Sequence, residues 1–363
     1  MKTHHITLLP GDGVGPEVTD AARLVLTAVS DVYDHDLRMR VKLVGGIAID
    51  ETGDPLPQET LDACLESDAV FLGAVGGPKW DGGERRPEEG LLGLRKAMGL
   101  YANLRPVAVS PQAAAQSPLK LDIVRGVDLL IVRELTGGAY FGEKTRNADR
   151  ATDLCAYSTG EIERVARVAF HAARERRGHV TSIDKANVLE TSRLWRETVT
   201  RVGKTEFPDV EVEHVLVDAA AMRLIQKPRA FDVVLTENMF GDILSDEASM
   251  LAGSIGMLAS ASLGDDGPGL FEPIHGSAPD IAGRDLANPI GAILSAAMLL
   301  QYGLGMVDEA EAVRRAVAWV LAQGQSTADI GGGESCSMFA RLVVQAIRQF
   351  RLSSLHGSLM HWG

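Results

Sequence analysis

Two aspartates in the stretch "NMFGDILSDEAS", Asp242 and Asp246, stand four residues apart just after an apolar run. On a helix that spacing puts both carboxylates on one face, about a turn apart, where like charges repel. A divalent cation removes the repulsion, and oxygen donors with open positions suit Mg²⁺ or Mn²⁺. Asp218, at the end of another apolar run, is a third candidate donor. A solvated helical face explains an isolated DxxxD equally well, so the pair gains meaning only from its company. That company includes Arg95 in "GLLGLRKAM", Arg105 in "YANLRP" and Arg133 in "LLIVREL". Arginine forks bind carboxylates bidentately, although each arginine taken singly also reads as a surface ion-pair partner. Lys185 follows "VTSID", where a lysine either serves as a base or reaches out to solvent. Tyr140 lies among the glycines of "RELTGGAYFG", which allow close approach of backbone or ligand.

The elements that must position these groups are legible as alternation. Apolar runs at 6–9, 69–72, 129–132, 180–183, 212–217 and 231–235 read as strands, and amphipathic stretches such as 159–177 and 189–202 read as helices. Strands alternating with helices predict an α/β architecture. Four of the runs end in charged residues: Arg133-Glu134, Asp184-Lys185, Asp218 and the segment carrying Asp242. Open α/β sheets bind ligands beyond the carboxyl ends of their strands.

Glycine-rich segments say less. "GDGVGPE" at 11–17 follows a strand and precedes a helical pattern, but its third glycine comes too soon for a dinucleotide fingerprint, so a tight turn is at least as good a reading. "GGGES" at 331–335 lacks the lysine of a phosphate loop. "LFEPIHGSAPDIAGRDLANP" at 270–289 is too long to be an idle connection. Within it Asp280 suits a ribose hydroxyl, while His275 reads as either a ligand or a loop residue.

The chain has 363 residues, 45% of them hydrophobic, enough for two domains or one large one. With 36 Lys and Arg against 49 Asp and Glu, the net charge is −13. That surface, with no basic stripe, disfavours nucleic acid and anionic membranes as partners. Cys64, Cys155 and Cys336 are scattered and fit a reducing compartment. The opening residues Met1 to Ile6 lack the apolar block of a signal peptide, and the apolar stretch 290–307 is interrupted and reads as a buried helix. The expectation is a cytoplasmic protein.

Seven stretches together resemble the isocitrate/isopropylmalate dehydrogenase family of metal-dependent decarboxylating dehydrogenases: "LLPGDGVGPEV", "GAVGGPKWD", "GLLGLRKAMGLYANLRP", "LLIVRELTGGAYFGE", "DKANVLETS", "FDVVLTENMFGDILSD" and "FEPIHGSAPDIAGRDLANP". They run in family order across residues 6 to 300. The resemblance implies a two-domain α/β fold with a large sheet flanked by helices, distinct from the common dinucleotide-binding one. One domain would combine 1–100 with 253–363, and 101–252 would form the second and the dimer contact. Arg95, Arg105 and Arg133 would bind the malate carboxylates, with Tyr140 and Lys185 as acid and base. Asp218, Asp242 and Asp246 would hold Mg²⁺ or Mn²⁺, with Asp218 also meeting the substrate. Sites would be shared in a homodimer, the equivalents of Lys185 and Asp218 reaching in from the partner subunit. NAD would meet Gly76, Gly77, Pro78, Glu88, Glu272, His275, Gly276, Ser277, Ala278, Asp280, Ile281 and Asn288. Asp280 with Ile281 points to NAD⁺ over NADP⁺, since a carboxylate repels a 2′-phosphate. Leu91 and Leu92 would line a pocket for an isopropyl group, with Leu94 in the helix core, which points to 3-isopropylmalate as substrate. Relatives acting on homoisocitrate, isocitrate, malate or tartrate are the alternative, as is a non-catalytic regulatory paralogue. Gln325 to Asp329 departs from the Arg-Thr-Ala-Asp type segment common in the family, and the tail 353–363 matches nothing familiar.

Overall fold

The structure is a computed structural model that describes residues 2–359, so the last four residues of the tail lie outside it. Among the described residues twelve strands follow one another: β1 (Thr3–Gly11), β2 (Asp36–Val41), β3 (Ala69–Ala74), β4 (Ala102–Ala108), β5 (Asp128–Glu134), β6 (Lys144–Arg146), β7 (Ala151–Asp153), β8 (His179–Asp184), β9 (Glu211–Leu216), β10 (Val233–Thr236), β11 (Ala259–Leu263) and β12 (Gly269–Pro273). The chain divides into two compact units, one built from residues up to Gly99 and again from Ser254, the other from Leu100–Gly253.

In the first unit the strands lie in the order β2-β1-β3-β12-β11. All neighbours pair in parallel except β11 with β12. β3, with sequence AVFLGA, is buried at every position, as expected of a parallel strand covered on both faces. The helices Gly15–Tyr33, Ile290–Met298, Val307–Ala322 and Cys336–Leu359 pack in this unit. Its core contains Ile6, Leu8, Val25, Leu26, Phe71, Phe271 and Ile293, all fully buried. The apolar stretch 290–307 is largely buried only as far as Leu300, with Tyr302 and Val307 exposed, and it is not one helix: a π-helical turn over Leu299–Gly303 ends it, and Val307 starts the next.

In the second unit the order is β4-β5-β10-β8-β9, parallel except for β4 with β5. The helices Thr159–Arg174 and Glu190–Glu206 pack against one another and against these strands. The first opens with a capping box, the Ser158 hydroxyl accepting from Glu161 N at 3.3 Å and the Glu161 carboxylate accepting from Ser158 N at 2.7 Å. β6 and β7 form a separate hairpin exposed along its length.

Two readings of the sequence need correction. The stretch 270–289 is not loop throughout, because its first residues belong to β12, where Leu270 and Phe271 are fully buried. The run 212–217 ends as strand at Leu216, and Asp218 lies in the first turn of the Val217–Gln226 helix. β4 also went unrecognised, since Asn103, Arg105 and Pro106 conceal its apolar character.

Candidate active site

The 238–249 helix carries the opening aspartates. Glu237 caps it, its carboxylate accepting from Phe240 N at 2.7 Å and from the Tyr157 hydroxyl at 3.0 Å. Burial pushes the Glu237 carboxyl above its ordinary range. Asp242 and Asp246 project from this helix toward two buried arginines of neighbouring strands. Arg133, at the end of β5, is held by Asn238, whose Oδ1 accepts from Nε at 3.1 Å and Nη2 at 2.8 Å, and its Nη1 pairs with Asp242. Arg105, on β4, donates to Asn103 Oδ1 and to Ser245 Oγ, each at 2.6 Å. It also lies 3.7 Å from Asp242 Oδ1 and 3.6 Å from Asp246 Oδ1. Two aspartates meet two guanidiniums, so the like charges of the helix face are compensated within the chain.

Tyr140 sits in a 3-10 turn and donates its hydroxyl to Asp242 Oδ2 at 2.9 Å. Burial, with the Asp242 charge adding to it, raises its phenol above the ordinary value, so it holds its proton at neutral pH. The other proton-bearing candidate forms a group of its own. Lys185 Nζ lies 2.7 Å from Asp218 Oδ1, and that hydrogen bond draws the Asp218 carboxyl below its usual range. The lysine's backbone is fixed from the 190–206 helix, its N–H donating to Ser192 Oγ at 3.0 Å. Among the described residues no group of three or more Asp, Glu, His or Cys converges as a metal site, so one chain does not bring Asp218, Asp242 and Asp246 together.

The remaining residues lie in the first unit. Arg95, on the Pro87–Ala97 helix, donates to Glu272 Oε1 at 2.7 Å, and both side chains are largely buried. Two residues expected to face different ligands thus hold each other here, and the Arg95 Nε is buried without a partner. On the same helix Leu94 is fully buried, whereas Leu91 and Leu92 are half-buried. Gly76 has φ 106°, a backbone angle that favours glycine, and it lies beside the Glu88 carboxylate, whose Oε1 would be 2.7 Å from a Cβ built there. Pro78 opens a 3-10 turn, with Gly77 before it.

Asp280 is exposed, Ser277 and Asn288 are buried, and Ile281 is intermediate. His275 Nδ1 lies 2.9 Å from Gly276 O, which makes Nδ1 the donor. Burial lowers the imidazole's pKa, leaving it neutral with Nε2 as an acceptor, and that atom is buried and unpartnered.

Sequence reasoning missed the residues that orient these groups: Asn103, Asn238, Ser245 and Glu237 in the second unit, and Asp12 in the first. Asp12, within "GDGVGPE", is buried and accepts from the amides of Gly46, Ile47 and Gly76, each at 2.8 Å. Asp12 N donates to Ala74 O at 2.8 Å and Val14 N to Ser277 O at 2.7 Å, so the segment is a tight turn that ties loops together. Ser245, one turn after Asp242, was the most findable, because it shares the face of the two aspartates.

Helix-flanked, largely parallel strands, with buried arginines at strand positions facing carboxylates on a helix, define an α/β protein with an arginine–carboxylate cluster. Its sequence agrees with the isocitrate/isopropylmalate dehydrogenase family model over residues 5–343, and the chain belongs to that family. A 3-isopropylmalate dehydrogenase of Halalkalibacterium halodurans is 57% identical over 354 residues, covering 94% of this chain and 97% of the relative. One of Rhodopirellula baltica is 57% identical over 335 residues, with 91% and 93% covered. Among solved structures, an isocitrate dehydrogenase from Methylococcus capsulatus superposes with a TM-score of 0.86 at 36% identity, covering 96% of this chain and all of that one. A beta-decarboxylating dehydrogenase from Thermococcus kodakarensis gives 0.80 at 40% identity, with 97% and 98% covered.

Proposed function

We propose that this chain catalyses the NAD⁺-dependent oxidative decarboxylation of 3-isopropylmalate to 4-methyl-2-oxopentanoate, CO₂ and NADH, a step of leucine biosynthesis. The observation that carries the reading is the pair of buried arginines, Arg105 and Arg133, facing Asp242, Asp246 and the Tyr140 hydroxyl. The close relatives named above support the choice of acid. Leu91 and Leu92 support it locally, since their half-buried side chains leave apolar surface for an isopropyl group.

The residues fit a divalent cation and NAD. Asp242 and Asp246 form a hard-oxygen pair for Mg²⁺ or Mn²⁺, completed by Asp218 of the partner subunit. The orphaned His275 Nε2 suits an amino donor such as that of adenine, and the exposed Asp280 suits ribose hydroxyls. When bound, the cation supplies a Lewis acid for the oxygen on C2 and the nicotinamide supplies the hydride acceptor. Gly76, Gly77, Pro78, Glu88, Glu272, Gly276, Ser277, Ala278, Ile281 and Asn288 complete the cofactor's surroundings in this reading.

The chain's own side chains do the rest. Arg105 and Arg133 grip the substrate's carboxylate and fix which carbon presents its hydrogen. Lys185 of the partner subunit, beside the partner subunit's Asp218, takes the proton of the 2-hydroxyl at Nζ while hydride leaves C2. Once the carboxylate on C3 departs as CO₂, Tyr140 gives its hydroxyl proton to C3. Acid and base belong to separate hydrogen-bonded groups within one chain, which favours a homodimer whose subunits share sites. The 217–226 and 238–249 helices expose Met222, Ile225 and Ile243, and Met250 is exposed just after the second, the kind of apolar surface an obligate partner covers. No helix among the described residues is long and apolar enough to cross a membrane, and the reaction is read as cytoplasmic.

A spectrophotometric panel of 3-isopropylmalate, isocitrate, homoisocitrate, malate and tartrate with NAD⁺ and Mn²⁺ tests the proposal. The expected outcome is a kcat/KM for 3-isopropylmalate above every other acid, abolished by excess EDTA. A higher value for another acid, or full activity in EDTA, overturns it.

A further inference from the structure

Between Pro273 and Ile290 the chain forms no helix or strand. A loop that long keeps one shape only if its polar groups find partners elsewhere. Near its start, Ser277 O accepts from Val14 N. Toward its end, the Glu17 carboxylate accepts from Gly283 N, and Asn288 Nδ2 donates to Asp329 Oδ2 at 3.0 Å. The strongest anchor is Asp285. Its φ of 56° lies in the left-handed region, where glycine is easiest and aspartate is tolerated better than most residues. Its side chain takes both donors of one residue, Ser337 N to Oδ1 at 2.8 Å and Ser337 Oγ to Oδ2 at 2.7 Å. Its backbone oxygen accepts from Cys336 N at 3.0 Å.

Cys336 and Ser337 begin the 336–359 helix, whose first amides have no partner within the helix itself. Asp285 therefore caps from outside, and the helix in return fixes the loop. Burial opposes ionisation of this carboxyl, but hydrogen bonds from Ser335 and Ser337 and the Arg341 charge hold it below the usual range, so it is an acceptor at neutral pH.

We propose that Asp285 is a positioning residue for the cofactor: by clipping the loop to the start of the 336–359 helix it sets where Asp280 and Ile281 are presented, and thereby the affinity for NAD and the discrimination against NADP, without touching either. The inference rests on the reading of Asp280 as the ribose acceptor. It deepens that reading by assigning the loop's shape to a residue outside the contact set.

Asp285→Gly separates the roles, because glycine suits the backbone angle and removes only the clip. Asp285→Asn tolerates the same angle and keeps an acceptor for Ser337 N and a donor for Ser337 Oγ, so it serves as the rescue. NADH binding by fluorescence, KM for NAD⁺ and NADP⁺, kcat and KM for the hydroxy acid are measured for each, with Asp280→Ala as a control. Loss of preorganisation predicts that Asp285→Gly weakens NADH binding and raises KM for NAD⁺ by about five- to tenfold, narrowing the NAD⁺/NADP⁺ ratio. The kcat and the hydroxy-acid KM stay within about twofold, and Asp285→Asn restores most of the loss. Should Asp285→Gly fold poorly, Ser337→Ala removes one of the two side-chain bonds and gives the same pattern, about two- to threefold. Cofactor binding unchanged in Asp285→Gly while Asp280→Ala disturbs it overturns the positioning role alone. Cofactor binding unchanged in both variants overturns the ribose reading and this inference with it. A parallel loss of kcat and hydroxy-acid affinity also overturns it, since that marks general damage.

Discussion

The acidic helix of the second unit and the 274–288 loop of the first solve the same problem in opposite ways. Around the helix, regular elements carry the chemistry. Arg105 and Arg133 stand on strands, Asp242 and Asp246 recur at one helical turn, and the charged groups meet a counter-charge or an amide. In the loop, regular structure is absent, and polar groups are used mostly to hold backbone: Asn288 Oδ1 accepts from Ile290 N at 2.9 Å, and Asp285 binds the start of a distant helix. His275 Nε2 is left without a partner. Periodic elements display side chains at intervals dictated by the backbone, whereas a loop displays them only as precisely as its anchors allow.

If the regular region holds the reactive groups, damage there should be catalytic and severe. Lys185→Ala is expected to cut kcat by about 10²- to 10⁴-fold with NADH binding nearly intact; stopped-flow turnover alongside fluorescence titration checks this, and lost cofactor binding would remove Lys185 from the base role. The same region is read as the dimer contact. Ile225→Asp, placing a charge on an exposed apolar side chain of the 217–226 helix, should weaken self-association by about 100-fold, with activity falling in step. Sedimentation velocity across a dilution series reads it out, and an unaltered dimer would move the contact elsewhere. In the loop-bearing unit, damage should appear first as stability. Asp12→Asn loses an acceptor and turns an amide NH₂ toward backbone N–H groups, so it should cost about 1–3 kcal/mol in urea unfolding. No loss of stability would mean that the turn is held by its backbone bonds alone.

Legibility followed the same divide. The runs at 69–72 and 129–132 correspond to β3 and β5 because strands buried on both faces read as unbroken apolar sequence; the run at 180–183 corresponds to β8, where Thr181 and Ser182 are buried between Val180 and Ile183. β4 escaped because its buried positions include Asn103 and Arg105, polar groups that satisfy each other and Ser245 once folded. β11, with sequence ASASL, escaped because buried serines imitate a loop composition. Asp12 was seen only as part of a glycine turn, since its amide partners lie more than thirty residues away.

By itself the sequence determined the alternation of strand and helix, the charged residues at strand ends, the i, i+4 aspartates and the family to which the chain belongs, because local periodicity and motif order are properties of a one-dimensional string. Tertiary structure alone decided the pairings: Arg95 with Glu272, Lys185 with Asp218, Arg133 with Asp242 and Asp285 with Ser337. Each joins groups between 33 and 177 residues apart. A charge inside a protein takes whichever counter-group the packing of the strands brings within about 3 Å, and spacing along the chain does not encode that proximity.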